Sequence, residues 1–416
     1  MIVIGAGLAG LTAGATAAAG GATTVVLEAH QSGGRARTTG REGFVFNMGA
    51  HALFAGGPGS AVLRRLGVAP AGSRPPRQLL ALDGERLGIL PSGPVTLLRS
   101  RLIGRRDKAR FARILGGIGR LDSRRFADRS VAQFIADTGA SATLTPVLRA
   151  LVRTATYCDE VEQSSADAAI AQLQLAARHG VRYLHGGWGP LLASLGTRVE
   201  VRPGAAVRAL HSDGGLVEVF SDDRRLLARS VIVATGTPDA VRAVLPHDPG
   251  WGDLGAPATA ACLDLALASP PQPGYLMALD APLFATTQSP PGRQAPEGRA
   301  VLAVLRYGAR SATQDRPQLE AMAARAGAGS GAADIVHQRF LARMVVAGTV
   351  PAVTRGGLAG RPRVADSGLP GVFVAGDWVG PDGLLADAAM ASGYAAALEA
   401  LRYSDRVAAP AARLAG

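Results

Sequence analysis

Cysteine is almost absent from this chain: Cys158 and Cys262 are the only two in 416 residues. They lie far apart, with no C-x-x-C and no His/Cys cluster beside them. That excludes zinc ribbons, iron–sulfur centres and a disulfide framework, leaves no metal site to expect, and suits a reducing, cytoplasmic setting. Lysine is scarcer still. Lys108 stands alone among 44 basic residues, so arginine carries nearly all of the net charge of +12. Aromatic residues make up 5%, too few for a base-stacking platform, so no nucleic-acid partner is expected. No segment reaches the ~18 uninterrupted apolar residues of a membrane span. The opening Met1-Ile2-Val3-Ile4 runs directly into glycines, so no signal peptide is expected.

Glycine is what the chain has in quantity, 54 residues, well above a usual share of ~7%. The first glycines are ordered. Ile2 to Ile4 reads as a strand covered on both faces, Gly5-Ala6-Gly7-Leu8-Ala9-Gly10 follows, and an alanine-rich helix runs to Ala19. Gly20-Gly21 ends that helix, and Val25-Val26-Leu27-Glu28 reads as a second strand. In this context G-x-G-x-x-G has a physical meaning. Gly5 permits a tight turn, Gly7 lets backbone approach a pyrophosphate, and Gly10 lets the helix pack on the strand. The helix N-terminus offers unpaired N–H groups to the phosphates, and Glu28 is placed to accept from ribose hydroxyls, disfavouring a 2′-phosphate.

Farther along, apolar spacing predicts a short helix at 59–66 and helices at Arg106–Leu115, Ser130–Ala136, Thr145–Arg153 and Ala166–Arg178. Strands are predicted at Val207–Leu210, Leu216–Phe220, Arg225–Ala228 and Val231–Ala234. Prolines and glycines between 268 and 300 predict surface loops. A closing strand Val372–Ala375 and a helix from about Ala386 to Leu401 complete the chain, and Gly327–Gly331 reads as a connector. Arginines at 99, 101, 105, 106, 110 and 113 crowd one region. With Leu102, Ile103 and Phe111 interleaved they describe either a solvated basic face or a surface for anionic lipid headgroups.

Further motifs follow in a recognisable order: Glu28-Ala29, Gly33-Gly34-Arg35, Gly43-x-x-Phe46-x-x-Gly49, Gly186-Gly187-Trp188-Gly189, Val231-Ile232-Val233-Ala234-Thr235, Gly371-Val372-Phe373-Val374-Ala375-Gly376-Asp377 and Ala389-Met390-Ala391-Ser392-Gly393. In this order they resemble the flavin amine oxidase and phytoene desaturase superfamily. The resemblance implies an α/β fold: a glutathione-reductase-like Rossmann FAD-binding domain (1–75, 195–265 and 345–416) interleaved with a mainly helical substrate domain drawn from 76–194, to which 266–344 adds a sheet or cap. It implies noncovalent FAD. Gly5, Gly7, Leu8, Ala9, Gly10, Glu28 and Ala29 are expected at its ADP half, Gly33, Gly34 and Arg35 at the pyrophosphate, and Gly49 and Ala50 at the isoalloxazine. Val207 is expected at the adenine and Ala234 beside the dinucleotide loop. Gly376 and Asp377 are expected at the ribityl chain, with the helix beginning at Leu385-Ala386 aimed at the flavin N1/O2 edge.

One departure bears on the chemistry. Many flavin amine oxidases carry a late lysine that reaches flavin N5 through water, and nothing after Lys108 can do so here. Arginine does not deprotonate and cannot replace it. The leading expectation is therefore a desaturase or dehydrogenase that moves hydride from a small hydrophobic organic substrate to flavin N5, with O2 or another electron acceptor. An amine or protoporphyrinogen-type oxidase using O2 is the alternative, and a non-redox isomerase or regulatory flavoprotein the second. His51, directly after Gly49-Ala50, reads either as a packed structural ring or as the one base available beside the flavin. His185 reads as structural, and Asp387 as a cap or an acid. The expected address is the cytoplasm, with peripheral membrane contact through the arginine-rich helices.

Overall fold

The computed structural model describes residues 1–76, 79–222, 224–331 and 333–413. A five-stranded parallel sheet holds the motif-bearing turns. Its order is Glu200–Pro203, Val25–Glu28, Ile2–Ile4, Val231–Val233, Val372–Val374. Ile2–Ile4, Val231–Val233 and Val372–Val374 are buried along their whole length, whereas the edge strand Glu200–Pro203 is mostly exposed. Val3, Val26, Ile232 and Phe373 point to one face, where helices Leu8–Ala19 and Leu385–Arg413 cover them. Ile2, Ile4, Leu27, Val231, Val233, Val372 and Val374 point to the other. There an antiparallel meander of Val207–His211, Val217–Ser221 and Arg225–Ala228 closes the core through Leu210, Val217 and Val219. The alternation is the period-two geometry of extended backbone.

A seven-stranded sheet forms the second layer system. It runs Ile335–Ala347, Ala258–Leu267, Ala300–Tyr307, Leu283–Ser289, Tyr275–Ala278, Leu80–Asp83, Arg86–Ile89, antiparallel except between Tyr275–Ala278 and Leu80–Asp83. Cys262, Tyr275, Met277, Phe284, Ala303, Leu305 and Tyr307 face helices Val131–Asp137, Thr145–Thr156 and Ala166–His179. The opposite face, with Leu263, Leu265, Leu276, Leu302 and Val304, is covered by Leu319 and Met322 of helix Ala312–Arg325.

Four helices lie where apolar spacing predicts them, at Arg105–Ile118, Val131–Asp137, Thr145–Thr156 and Ala166–His179. Three expectations need correction. The 268–300 region is not a set of surface loops: Tyr275–Ala278 and Leu283–Ser289 are almost wholly buried strands. Sheet burial on both faces removes the polar alternation that marks a strand, and the flanking prolines dominate the pattern. The boundaries drawn at 265/266 and 344/345 fall inside strands Ala258–Leu267 and Ile335–Ala347. Leu102, Ile103 and Phe111, expected on a lipid-facing surface, are buried at 7%, 5% and 0% exposure, so these three belong to the core. Among the described residues no helix is long and apolar enough to cross a membrane.

Candidate flavin and substrate site

The first turn of the parallel sheet is built by glycine geometry. Gly5 adopts φ +98°, and a Cβ there would lie 2.5 Å from the Ala234 carbonyl oxygen. A Cβ on Gly10 would lie 1.8 Å from the Gly5 oxygen, so helix Leu8–Ala19 touches the strand end backbone to backbone. Gly7 differs. It begins the helix without a side-chain cap, and a Cβ there would meet nothing within 4 Å. The first-turn N–H groups of Leu8, Ala9 and Gly10 thus open onto free space. Glu28 closes the other side, its Oε2 accepting from Ala6 N at 2.7 Å and its Oε1 from His30 N at 2.9 Å. Gly33 N donates to the Ala6 carbonyl at 2.8 Å, which brings Gly33-Gly34-Arg35 over the same turn. Ala205 N donates to the Glu28 carbonyl at 2.8 Å and so places Val207 nearby. Thr235 Oγ1, next to Ala234, is buried and has no partner among the described residues. Open space over Gly7, uncapped N–H groups and an orphaned hydroxyl are what a bound dinucleotide diphosphate would fill.

The C-terminal motif meets this turn through charge. Arg35 Nη1 and Nη2 donate to Asp377 Oδ2 and Oδ1 at 2.9 and 2.7 Å, and Gly348 N donates to Oδ2 at 3.0 Å. Both Asp377 oxygens are therefore engaged by the protein itself. Desolvation pulls the Arg35 pKa down, but the Asp377 charge and hydrogen bonds leave it raised. Beneath them Arg361 donates to the carbonyls of Asp377 and Gly383, each at 2.8 Å. Burial drops its pKa to about 10, with Asp377, Asp167 and Asp382 pulling the other way. Gly376 is fixed by Ser392, whose Oγ accepts from its N at 3.0 Å and donates to its O at 2.8 Å. Leu385 then enters the long helix at φ +54°, a left-handed backbone that a branched side chain rarely adopts. Asp387, in the first turn, accepts from Gly59 N at 2.8 Å and so caps helix Pro58–Arg65. Its Oδ2 is buried without a partner, and desolvation, offset by the Gly59 and Ser60 amides, pushes its pKa up to about 7.

The third element is the turn at Gly49, φ +91°, where a Cβ would lie 2.7 Å from Met344 Cε. Sequence reading passed over the groups that hold it. Arg339 donates to Asp264 Oδ2 from Nε (3.2 Å) and Nη2 (2.5 Å), to Thr39 Oγ1 at 2.7 Å, and to the Asn47 carbonyl. Cys262 Sγ lies 3.4 Å from Asp264 Oδ1, and Ala50 N donates to that sulfur. Burial and the Asp264 charge push the Cys262 thiol well above its usual range. No pattern in sequence signals this clamp, because its members come from separate strands. His51 Nδ1 lies 3.0 Å from the Gly49 carbonyl, and the ring meets Trp188 edge-on at 5.5 Å. Desolvation lowers its pKa, the Gly49 and Arg35 carbonyls raise it, and the Arg35 and Arg339 charges lower it; the net shift is downward and favours the neutral ring. His185 donates to or accepts from Ser73 Oγ at 2.9 Å, away from these turns.

A narrow pocket begins at Asp377, Leu384 and Leu385 and runs between the sheet and the helices. Val131, Val152, Val161, Ala168, Ala169 and Val350 give it an aliphatic wall, broken by the small polar groups of Thr156, Cys158, Ser164 and Thr349. Among the described residues Asp377 is the only charged one lining it, and no aromatic residue does. His51 is not among the lining residues. Lys108 lies on helix Arg105–Ile118 and donates to the Leu98 carbonyl at 2.8 Å, remote from every motif turn.

Known structures share this fold. An oxidoreductase from Methanosarcina mazei is 18% identical, with a TM-score of 0.72 over 96% of this chain and 99% of its own. Cyclohexylamine oxidase from Brevibacterium oxydans IH-35A is 17% identical, with a TM-score of 0.71 over 98% of each chain. Putrescine oxidase bound to putrescine is 15% identical, with a TM-score of 0.71 over 96% of this chain and 98% of its own. No curated protein matches the chain. Residues 8–253 match the family described as flavin containing amine oxidoreductase. The chain belongs to that family and is an FAD-dependent oxidoreductase.

Proposed function

We propose that this flavoenzyme dehydrogenates an uncharged, largely aliphatic substrate at a C–H bond. FAD, when bound, supplies the acceptor for the hydride, that is, for two electrons and one proton of the substrate. The protein must hold the cofactor, exclude water and take the second proton. Gly5, Gly7, Leu8, Ala9, Gly10, Gly33, Gly34, Arg35 and Ala234 are assigned to the diphosphate, Glu28, Ala29 and Val207 to the adenosine half. Gly49 and Ala50 are assigned to the isoalloxazine, and Gly376, Asp377, Leu385 and Ala386 to the ribityl chain and pyrimidine edge. The cofactor is held noncovalently, since the Cys262 thiol beneath Gly49 is kept protonated and a thiol is a poor nucleophile. His51, kept neutral at the Gly49 turn and outside the pocket lining, is proposed as proton acceptor at the isoalloxazine end of the site. The parallel-sheet layers serve as the FAD domain and the seven-stranded sheet with its helices as the substrate domain. Two free, buried cysteines suit a reducing compartment, and we assign the cytoplasm.

The pocket carries this reading. Its wall is aliphatic, and its one charged member, Asp377, is already paired with Arg35. A cationic amine needs a free carboxylate or an aromatic face. Tyr157 and Tyr307 meet edge to face at 6.0 Å and do not line the pocket. A second reading, oxidation of an amine with O2 as acceptor, is favoured by the family description. Anaerobic mixing decides between them. Bleaching of the flavin absorbance by apolar alkenes or alicyclic substrates, and not by primary or secondary amines, is the expected result. Rapid bleaching by simple amines would overturn the aliphatic reading in favour of the second.

A further inference from the structure

A six-residue helix, Pro94–Arg99, stands out on the surface. Val95 and Leu98, three positions apart and so on one helix face, are 66% and 78% exposed, and Leu87 of the neighbouring hairpin is 55% exposed. Leu98 is the most exposed large apolar side chain recorded in the chain. Around these three stand Arg86, Arg99, Arg101, Arg105 and Arg106, all exposed, with Lys108 half-buried beside them. Arg86 donates to the Arg101 carbonyl at 3.2 Å and Lys108 to the Leu98 carbonyl at 2.8 Å, so hairpin, short helix and arginine helix form one surface. Among the described residues none of these six cations makes an ion pair. Of the nearby acids, Glu85 is paired with Arg325 and Asp107 accepts from Ser141 and Thr143, while Asp83 stands opposite Arg86 on the hairpin.

We propose that this end of the molecule docks on an anionic lipid surface, with Val95, Leu98 and Leu87 dipping into the headgroup boundary and the arginines pairing with lipid phosphates. Charge complementarity selects the partner, since a cluster of unpaired cations around apolar tips matches an anionic bilayer. Size argues the same way. Two apolar side chains on so short a helix and a third on the hairpin fall far below the ~800 Å² that each partner of a stable protein interface buries, whereas membrane attachment needs only shallow insertion plus charge. The surface also leads inward. Leu97, on the same helix, packs against the apolar cluster that contains Val131, Val152, Val161 and Ala169, the wall of the pocket. Delivery of a lipid-dissolved substrate to that pocket rests on the aliphatic-substrate reading; the docking itself does not.

The test uses the FAD-loaded enzyme, without substrate, sedimented with vesicles of phosphatidylglycerol and phosphatidylcholine or of phosphatidylcholine alone. The expected result is pelleting only with the anionic vesicles at about 0.1 M salt, falling about tenfold or more at about 1 M. The pairs Val95→Ser with Leu98→Ser, and Arg101→Glu with Arg105→Glu, should each weaken pelleting about tenfold while flavin content and thermal midpoint stay unchanged. Absence of pelleting, equal pelleting with neutral vesicles, or wild-type pelleting by both variants would overturn the proposal. So would a concentration-dependent dimer that Val95→Ser with Leu98→Ser abolishes, because the face would then serve a second copy of the chain. None of these outcomes depends on which substrate is turned over.

Discussion

Arg35 and Asp377, separated by most of the chain, form a two-pronged ion pair at 2.7 and 2.9 Å. The pair ties the turn after the second parallel strand to the turn after the last one, and it closes the floor where pocket and dinucleotide loop meet. Asp377 is 3% exposed and Arg35 37%. Removing the arginine therefore leaves a buried carboxylate with only the Gly348 amide, while removing the aspartate leaves a cation that still reaches solvent. Arg35→Ala should cost about 1–3 kcal/mol of stability and Asp377→Asn less, and both should lower FAD retention. A double-mutant cycle on thermal unfolding checks the coupling. Additive losses would mean that the two side chains act independently.

Gly7 and Gly10 lie three residues apart and should fail in opposite ways. At Gly10 an added methyl would collide with the Gly5 carbonyl, so Gly10→Ala should lose about 3 kcal/mol or more and yield little folded protein. At Gly7 the methyl meets open space and the backbone is extended. Gly7→Ala should leave the apoprotein within about 1 kcal/mol of wild type, yet weaken FAD binding about tenfold or more, as steric crowding of about 1–3 kcal/mol implies. Flavin fluorescence titration of refolded apoprotein measures this. Unchanged affinity in Gly7→Ala would remove the diphosphate from that space.

The contrast between those glycines also shows what sequence could reveal. Local, periodic features were legible: the strand–glycine–helix start, Glu28 at the end of the second strand, and helices Arg105–Ile118 through Ala166–His179. Their signals lie within a few residues of one another. The seven-stranded sheet was not legible in its middle, because Tyr275–Ala278 and Leu283–Ser289 are buried on both sides and bounded by prolines. The clamp of Arg339, Asp264 and Cys262 beneath Gly49 was invisible for a different reason. Two strands bring it together, and each member alone reads as an ordinary strand residue. Exposure misled at Leu102, Ile103 and Phe111, since apolar residues interleaved with arginines read alike whether they meet core or lipid; Leu102 and Ile103 lie just before helix Arg105–Ile118, and Phe111 on its buried side.

His51 is expected to act as a base, and its environment sets the pH window. A neutral ring accepts a proton, and the pKa of this ring lies below its ordinary 6.5. Activity should therefore persist as pH falls past the ordinary histidine range and be lost only on passing through the lowered value. His51→Gln should reduce kcat by about 10²–10⁴-fold and remove that acid limb, with flavin content unchanged. If flavin is lost together with activity, the ring is instead a prop for the Gly49 carbonyl and Trp188.

Asp387 should make stability fall as pH rises. Its carboxyl is 2% exposed, and its folded pKa of about 7 lies above the ordinary 3.8. Between those values the folded chain binds a proton that the unfolded chain has released, so each step upward in pH favours unfolding. The contribution is fully present below the unfolded pKa, declines through the interval, and is gone above the folded one; its span is a few kcal/mol at most, at about 1.4 kcal/mol per pH unit. Asp387→Asn keeps an oxygen for Gly59 N but has no proton to lose. Thermal midpoints of the FAD-loaded enzyme between about pH 5 and pH 8 should therefore fall in the wild type with a slope that the variant lacks. Parallel curves for the two proteins would show that Asp387 is ionised throughout, and that its buried Oδ2 finds a partner in the flavin-bound state.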